Sequence, residues 1–169
     1  THIGVGRPWD LDRGFTGGIR MLHPFRERAH TDWQSGTANA VLLNLSFITD
    51  NDPDPVLVLA GDHVYQMNYG PLLAFHAERQ ADLTIAATEV SIEDAPRFGM
   101  LATDGEQRVL AFQEKPQRPT GTLASMGIYV FSRKVLEQCL HEDHHAPDSA
   151  HDFGKDVIPR LVGSGQCVF

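Results

Sequence analysis

Cysteine, positive charge and long apolar runs are all scarce in this chain. The two cysteines, Cys139 and Cys167, make neither a CxxC metal pair nor a disulfide framework, which points to a reducing, cytoplasmic compartment. Apolar runs such as residues 56–61 fall far short of the ~20 residues that span a bilayer, so no membrane helix is expected. Thr1-His2-Ile3-Gly4 lacks the basic and apolar regions of a signal peptide. Lys and Arg number 14 against 22 Asp and Glu, a formal net charge of −8, which argues against a nucleic-acid binder with its basic face. Any bound phosphate must therefore be met by a few placed groups. What remains is a globular composition: 169 residues, 41% hydrophobic and 21% charged, sufficient for one domain with a core. The absence of an initiator Met, and an end at Cys167-Val168-Phe169 in what reads as a strand, suggest a piece of a longer chain.

Strand-like runs alternate with helical periodicity, the pattern of a layered α/β domain. Val41, Leu42, Leu45 and Ile48 predict a helix over residues 36–49, capped by Ser35 or Thr37. Residues 56–60, unbroken in apolar character, predict a central strand buried on both faces and ending at Gly61-Asp62. Pro71 suits the first turn of a helix that leads to a strand at 83–88, completing a βαβ unit. Residues 98–101 and 108–113 flank the turn Thr103-Asp104-Gly105-Glu106 as an antiparallel hairpin. A strand at 126–131 precedes a helix near 133–140, and after a polar loop at 142–151 a helix at 152–161 is limited or kinked by Pro159. No internal repeat or low-complexity linker interrupts the chain.

Several apparent motifs fail on context. His141-Glu142-Asp143-His144-His145 matches the letters HExxH, and on a helix its outer histidines would share a zinc-binding face. It sits at a helix end running into Ala146-Pro147, so a solvated helix terminus is the preferred reading. Gly4-Val5-Gly6-Arg7 has no preceding strand for a dinucleotide loop. Ser125, within Leu123-Ala124-Ser125-Met126-Gly127, lacks the first glycine of a nucleophile elbow.

Stronger signals come from strand ends. Asp62 stands at the carboxyl edge of an α/β sheet, where ligands bind; it suits a hard cation such as Mg²⁺, or else it caps the following turn. Glu114-Lys115-Pro116 closes the second hairpin strand, and Pro116 is expected to keep Lys115 extended at a fixed strand end. Lys115 then suits a phosphate and Glu114 a hydroxyl, against the alternative that the lysine is merely solvated. Ser125, Tyr129, Asp152 and Lys155 are further hydrogen-bonding groups suited to a polyol.

Taken together, Trp33-Gln34-Ser35-Gly36-Thr37-Ala38-Asn39-Ala40, Val58-Leu59-Ala60-Gly61-Asp62-His63-Val64-Tyr65, Phe98-Gly99, Phe112-Gln113-Glu114-Lys115-Pro116, Ala124-Ser125-Met126-Gly127-Ile128-Tyr129-Val130-Phe131 and Asp152-Phe153-Gly154-Lys155-Asp156-Val157-Ile158-Pro159 resemble the bacterial ADP-glucose pyrophosphorylase (glucose-1-phosphate adenylyltransferase) family. The opening Arg7-Pro8-Trp9-Asp10-Leu11-Asp12-Arg13 is similar too. The resemblance implies an α/β fold with a Rossmann-like mixed sheet of the sugar nucleotidyltransferase type, incomplete over residues 1–169. It implies adenylyl transfer from ATP to glucose 1-phosphate, giving ADP-glucose and pyrophosphate for glycogen or starch-like polymer, in a homotetramer when full length. By resemblance Asp62 holds Mg²⁺, and Lys115 grips the phosphate of glucose 1-phosphate. Glu114, Ser125, Tyr129, Asp152 and Gly99 line the glucose pocket, and Gly36, Thr37 and Gly61 lie near the nucleotide.

Departures from the family pattern accompany these matches. The glycine-rich phosphate loop belongs N-terminal to Thr1, while a second metal Asp and a β-helix domain belong beyond Phe169, so the polypeptide as given is expected to be inactive. Gln34-Ser35 replaces a frequent Tyr-Arg, Asn39 replaces Asp, and the loop at 117–123 is short. Two other readings stay open: a sister enzyme using dTTP or UTP, and a non-catalytic regulatory paralogue that binds sugar phosphate. For the HExxH letters, the expected outcome is that purified protein carries no stoichiometric zinc. Elemental analysis finding one zinc per chain, lost on His141→Ala, would overturn the helix-end reading.

Overall fold

The computed structural model describes residues 18–22, 36–62 and 65–169. The expectations placed on Gly4–Gly6, Arg7, Trp33, the Ser35 cap and His63-Val64 lie outside the described residues. The chain separates into two compact units, Thr1–Trp33 and Gln34–Phe169, and the second carries all the elements below.

These elements are α1 (Thr37–Leu42), α2 (Leu45–Asn51), β1 (Val56–Leu59), α3 (Gly70–Glu78), β2 (Leu83–Glu89), β3 (Gly99–Thr103), β4 (Val109–Glu114), β5 (Leu123–Phe131), α4 (Arg133–His144) and α5 (Ile158–Gly163). Their alternation is that of an α/β protein. The helix expected over 36–49 is two helices. Gly36, not Thr37, is the N-cap of α1, because the Thr37 hydroxyl is committed elsewhere. The break falls at Leu43-Asn44, where Asn44 donates its side-chain N–H back to the Ala40 carbonyl, 2.8 Å, a local bond that competes with helix continuation.

β5 organises the sheet. Along one edge it pairs antiparallel with β2, with a register shift between Ile85 and Ala87. Along its other edge lie β1, from Val56↔Phe131 to Leu59↔Ile128, and then β3 at Met100↔Ala124. β3 continues into β4 as the expected hairpin, whose turn is held by Asp104 Oδ1 accepting from the N–H groups of Glu106 and Arg108. The βαβ unit is thus split: β1 and β2 both run antiparallel to β5, hence parallel to each other, with β5 between them. The parallel component of the mixed sheet comes from the chain terminus, where Val168 bridges Leu83 and Phe169 exchanges backbone bonds with Leu83 and Ile85. β1 is not the fully buried central strand expected. Among the described residues it pairs with β5 alone, and its Leu59 is 46% exposed.

One face of the sheet is covered by α4 and α5. Leu136, Cys139 and Leu140 at helical spacing, with Ile158 and Leu161 of α5, pack on Phe131, Leu83 and Val168. The expected helix at 152–161 begins as a wide π-turn, Phe153–Val157, and becomes α-helical only at α5, where Pro159 occupies the first turn. Proline has no N–H to continue a ladder from the preceding turn, so the chain restarts its helix there. No helix among the described residues is long and apolar enough to cross a membrane.

His76 of α3 is buried against β2. Its Nδ1 lies 2.8 Å from Thr84 Oγ1, and its Nε2 lies 3.3 Å from Ser132 Oγ. Since the Ser132 hydroxyl donates to Ala81 O, it accepts from Nε2–H, and the ring is the neutral Nε2–H tautomer with Thr84 donating to Nδ1. Burial pushes the His76 pKa below its ordinary 6.5, against the opposing pull of Asp54 and Asp82. The unfolded chain therefore takes up a proton near pH 6.5 that the folded chain refuses, and stability falls as pH drops below that value. Urea midpoints at pH 7.5 and 5.5 should show this fall, and His76→Gln should show a shallower one; equal slopes for both proteins would sink the assignment.

Candidate functional site

The carboxyl end of β1, the start of β3 and the Glu114 end of β4 lie along one edge of β5. β1 and β3 run in the same direction, end to end, so the carboxyl end of β1 arrives where β3 begins. Between them β5 is irregular: Gly127 has φ 68, donates its N–H to Ser125 Oγ at 3.2 Å, and accepts at its carbonyl from Ala60 N–H at 3.2 Å. A break of this kind in a strand edge, where one connection leaves as another enters, is where open α/β sheets bind ligands. Gly99 opposes Glu114 across the hairpin, and the next antiparallel step sets Gly99 beside Ser125.

Close approach explains the glycines here. A Cβ on Gly99 would lie 2.5 Å from the Phe112 ring and 3.0 Å from Glu114 Oε2, and one on Gly154 would lie 2.5 Å from the same Oε2. The Glu114 carboxylate is thus wedged between two glycines, its side chain 20% exposed. Lys115 reaches back to Glu114 with Nζ 3.4 Å from Oε1, its own side chain 62% exposed, so the pair itself adds little stability. The extended conformation expected for Lys115 is not adopted. Its φ is +46, because its N–H still closes on the Phe98 carbonyl at 3.0 Å while the chain must turn out of the sheet at Pro116. Left-handed backbone at a non-glycine residue is a local strain that the surrounding structure holds in place.

Tyr129 ties the cluster together. Burial raises its pKa above the ordinary 10.0; a hydrogen bond with Ser125 works the other way, and the Glu114 and Asp152 carboxylates add to the rise. At neutral pH Tyr129 is a phenol, with Glu114, Ser125 and Asp152 in its surroundings. Its ring lies 6.0 Å from Phe153 and 6.4 Å from Phe131.

Asp152 has a second task that the sequence did not reveal. Its Oδ1 accepts the N–H groups of Gly154 (2.9 Å) and Lys155 (3.0 Å), capping the π-turn. Its Oδ2 accepts from the Thr37 hydroxyl at 3.0 Å, and Thr37 Oγ1 in turn accepts from Phe153 N–H. Thr37, expected near the nucleotide, and Asp152, expected near the sugar, are therefore directly bonded. Gly36 fits the same junction: with φ +90, its Cβ would lie 2.3 Å from the His151 carbonyl oxygen and 2.4 Å from that of Ala150.

Gly61 and Asp62 lie on an exposed turn beyond Ala60. Nothing would meet a Cβ on Gly61 within 4 Å, so its glycine has no packing reason. No cluster of three or more His, Cys, Asp or Glu suited to a metal occurs among the described residues. A single strand-end carboxylate still fits Mg²⁺, which is commonly held by one or two carboxylates with the rest of its shell drawn from phosphates and water. The HExxH letters resolve as a helix terminus: α4 ends at His144, and His145 Nδ1–H donates to the His141 carbonyl at 2.7 Å. A cavity of about 410 Å³ lined by Leu72, Phe75, Ile85, Leu101 and Phe169 contains none of these site residues. Its lining is mostly apolar, with Thr84, Thr103 and Gln107 as its polar side chains and no Lys or Arg to neutralise a phosphate, so the polar cluster beside Lys115 is the better candidate.

The fold defines an α/β protein with a cluster of polar side chains at a break in its sheet edge, and comparison with known proteins gives the family. The Nucleotidyl transferase family model matches residues 12–168, and the chain belongs to that family. Among similar curated proteins, one from Thermotoga maritima is 54% identical over 161 residues, covering 95% of this chain and 38% of that protein. One from Bacillus licheniformis is 49% identical (96% and 42%) and one from Clostridium novyi 47% identical (98% and 43%). All three are named glucose-1-phosphate adenylyltransferase. The chain spans about two-fifths of the length of these relatives.

The glycines give a test that separates structure from site. Gly36→Ala opposes a left-handed φ and a fixed backbone carbonyl, so it should destabilise by more than about 1 kcal/mol. Gly154→Ala meets the movable end of Glu114, so the urea midpoint should change little while Glu114 is displaced. A larger loss of stability from Gly154→Ala than from Gly36→Ala would contradict the contact geometry.

Proposed function

We propose that this chain is the sugar-phosphate side of a glucose-1-phosphate adenylyltransferase, which joins ATP and glucose 1-phosphate to give ADP-glucose and pyrophosphate for glycogen or starch-like polymer. The observation that carries the reading is the convergence of Glu114, Ser125 and Asp152 on the Tyr129 phenol, with the Lys115 ammonium beside it at 3.4 Å from Glu114. Two carboxylate acceptors, a hydroxyl and a phenolic donor suit a ring of sugar hydroxyls, and a lysine next to them suits the phosphate on C1. A pocket of paired donors and acceptors rejects sugars that leave a polar group without a partner.

In this reaction an oxygen of the glucose 1-phosphate phosphate forms a bond to the α-phosphorus of ATP, and the bond from that phosphorus to the β-bridging oxygen breaks. Pyrophosphate leaves with the electron pair. The nucleophile is already anionic, so no general base is required, and the demands are alignment and charge neutralisation. Lys115 orients the attacking phosphate and reduces its repulsion from the nucleotide. Glu114, Ser125, Tyr129 and Asp152 fix the sugar, and Gly36 and Thr37 bring the nucleotide side against Asp152. Mg²⁺ supplies neutralisation of the reacting phosphates when bound, and Asp62 is the residue of this chain that would hold it. The free state of Cys139 and Cys167 agrees with a cytoplasmic enzyme, and a homotetramer is the assembly proposed for a polypeptide of the relatives' length.

Pyrophosphate release by a polypeptide of that length containing this chain tests the reading. Asp62→Asn should lower kcat on the order of 10²-fold. Lys115→Ala, losing a charged hydrogen bond worth about 1.5–3 kcal/mol, should raise KM for glucose 1-phosphate by roughly 10- to 100-fold and leave KM for ATP nearly unchanged. If ATP affinity collapsed while that for glucose 1-phosphate held, Lys115 would belong to the nucleotide instead.

A further inference from the structure

Asp143 is a carboxylate only 2% exposed, on the last turn of α4 and outside the cluster described so far. Its Oδ1 accepts from Ser149 Oγ at 2.7 Å and from Arg160 Nη1 at 3.3 Å, and its Oδ2 accepts from His151 Nδ1–H at 2.8 Å. A buried carboxylate survives only where its lone pairs are met in this way. Ser149 turns the same hydroxyl oxygen to the backbone N–H of His151, 2.9 Å away. His151 is thus held at both its ring and its backbone, and its φ is +56, a left-handed conformation that needs such support. The result is a fixed direction for the His151 carbonyl, which accepts the N–H groups of Ala38 (2.8 Å) and Asn39 (3.4 Å) at the amino end of α1. The following residue is Asp152, bonded to Thr37 of the same helix end.

We infer that Asp143 is a positioning residue which, through His151, sets Asp152 and the amino end of α1 as a single unit, and so governs sugar-phosphate affinity without touching the substrate. The inference rests on the proposal that Asp152 faces the sugar. Arg160 and Ser149 complete the anchor from α5 and from the loop, which ties the unit to the packed helices and not to the exposed strand ends. A rotation at His151 would swing the Asp152 carboxylate and release two N–H groups of α1 at once.

Side-chain geometry supplies the test. Asn carries its Nδ2 at the same bond distance from the backbone as His Nδ1, and it is enriched at positive φ; Gln places its amide one bond further out, past the Asp143 carboxylate. In a polypeptide of the relatives' length containing this chain, His151→Asn should hold KM for glucose 1-phosphate near that of the unmodified protein. His151→Gln should raise it about tenfold or more, with circular dichroism and melting confirming a folded protein. A purely structural role would lower the active fraction, and hence apparent kcat, equally for both variants with KM unchanged, and that pattern would overturn the inference. Asp143→Asn should raise the same KM, and adding His151→Gln to it should bring less than the product of the two effects, since both act through one bond; full multiplication would show independent roles and would also overturn it. Asp152→Asn, which preserves the cap, separates the two levels. If it leaves KM unchanged, the sugar reading fails; if it raises KM while His151→Gln does not, the sugar reading stands and the Asp143 inference fails.

Discussion

Pairing along both edges of β5 is the constraint from which the rest of the molecule follows. Phe131 has Val56 as its register partner on one side and Leu83 on the other, and it is completely buried with Phe153 5.7 Å from its ring. Because β5 is longer than β1, its outer edge has room for a second strand, and β3 enters there. The irregularity at Gly127 falls between the two. A regular β5 would carry its side chains in strict alternation from 123 to 131. Against β2 the irregularity takes up two extra residues of β5, from Ile85↔Tyr129 to Ala87↔Ser125, so Ser125 and Tyr129 keep the shared face that the two-residue period gives them and are drawn closer along the strand.

Electrostatics acts on a smaller scale than the net charge suggests. The chain carries −8 overall, yet anionic substrates require only local compensation, because charges beyond about a Debye length are screened. Glu114 and Asp152 would repel a phosphate placed near them, and Lys115 offsets this on the Glu114 side. The carboxylates suit hydroxyls because they are acceptors only, and Tyr129 complements them because burial and their own charges keep its proton on. The carboxylates thus help keep the Tyr129 proton in place, and under the proposed function a sugar with alternating donors and acceptors would meet a complementary set.

Much of the fold was legible in the sequence because period and punctuation carried it. The hairpin around Asp104-Gly105, the helix opened by Pro71 and the strand ending in Glu114-Lys115 all announce themselves by turn residues or apolar runs. The split of the helix at Leu43-Asn44 was not legible, since the apolar spacing continues across it and the break depends on a side-chain bond. The burial of β1 was overestimated because an apolar run cannot state how many neighbours it will have. At the candidate site, the residue types pointed to Glu114, Lys115, Tyr129 and Asp152, but their division of labour came from distances. Asp143 did leave a trace. It stands three residues after Leu140 and four after Cys139, on the apolar stripe of α4, where an acidic residue has to find buried partners.

Asp152 shows why a site can be both structural and selective. An ionised carboxylate offers about four lone-pair positions, and here Gly154, Lys155 and Thr37 take three of them. Very little accepting capacity is left for a ligand, and its direction is dictated by the three bonds already made. Glu114 is constrained differently, by steric walls at Gly99 and Gly154 in place of hydrogen bonds. Three bonds hold the Asp152 carboxylate, so it is not free to reorient toward a hydroxyl of altered stereochemistry. A group that cannot move charges the full desolvation penalty to a mismatched sugar, whereas a mobile one would adjust and bind it. In the proposed sugar site, discrimination would therefore reside as much in the backbone amides and the Thr37 hydroxyl that hold Asp152 as in the carboxylate itself.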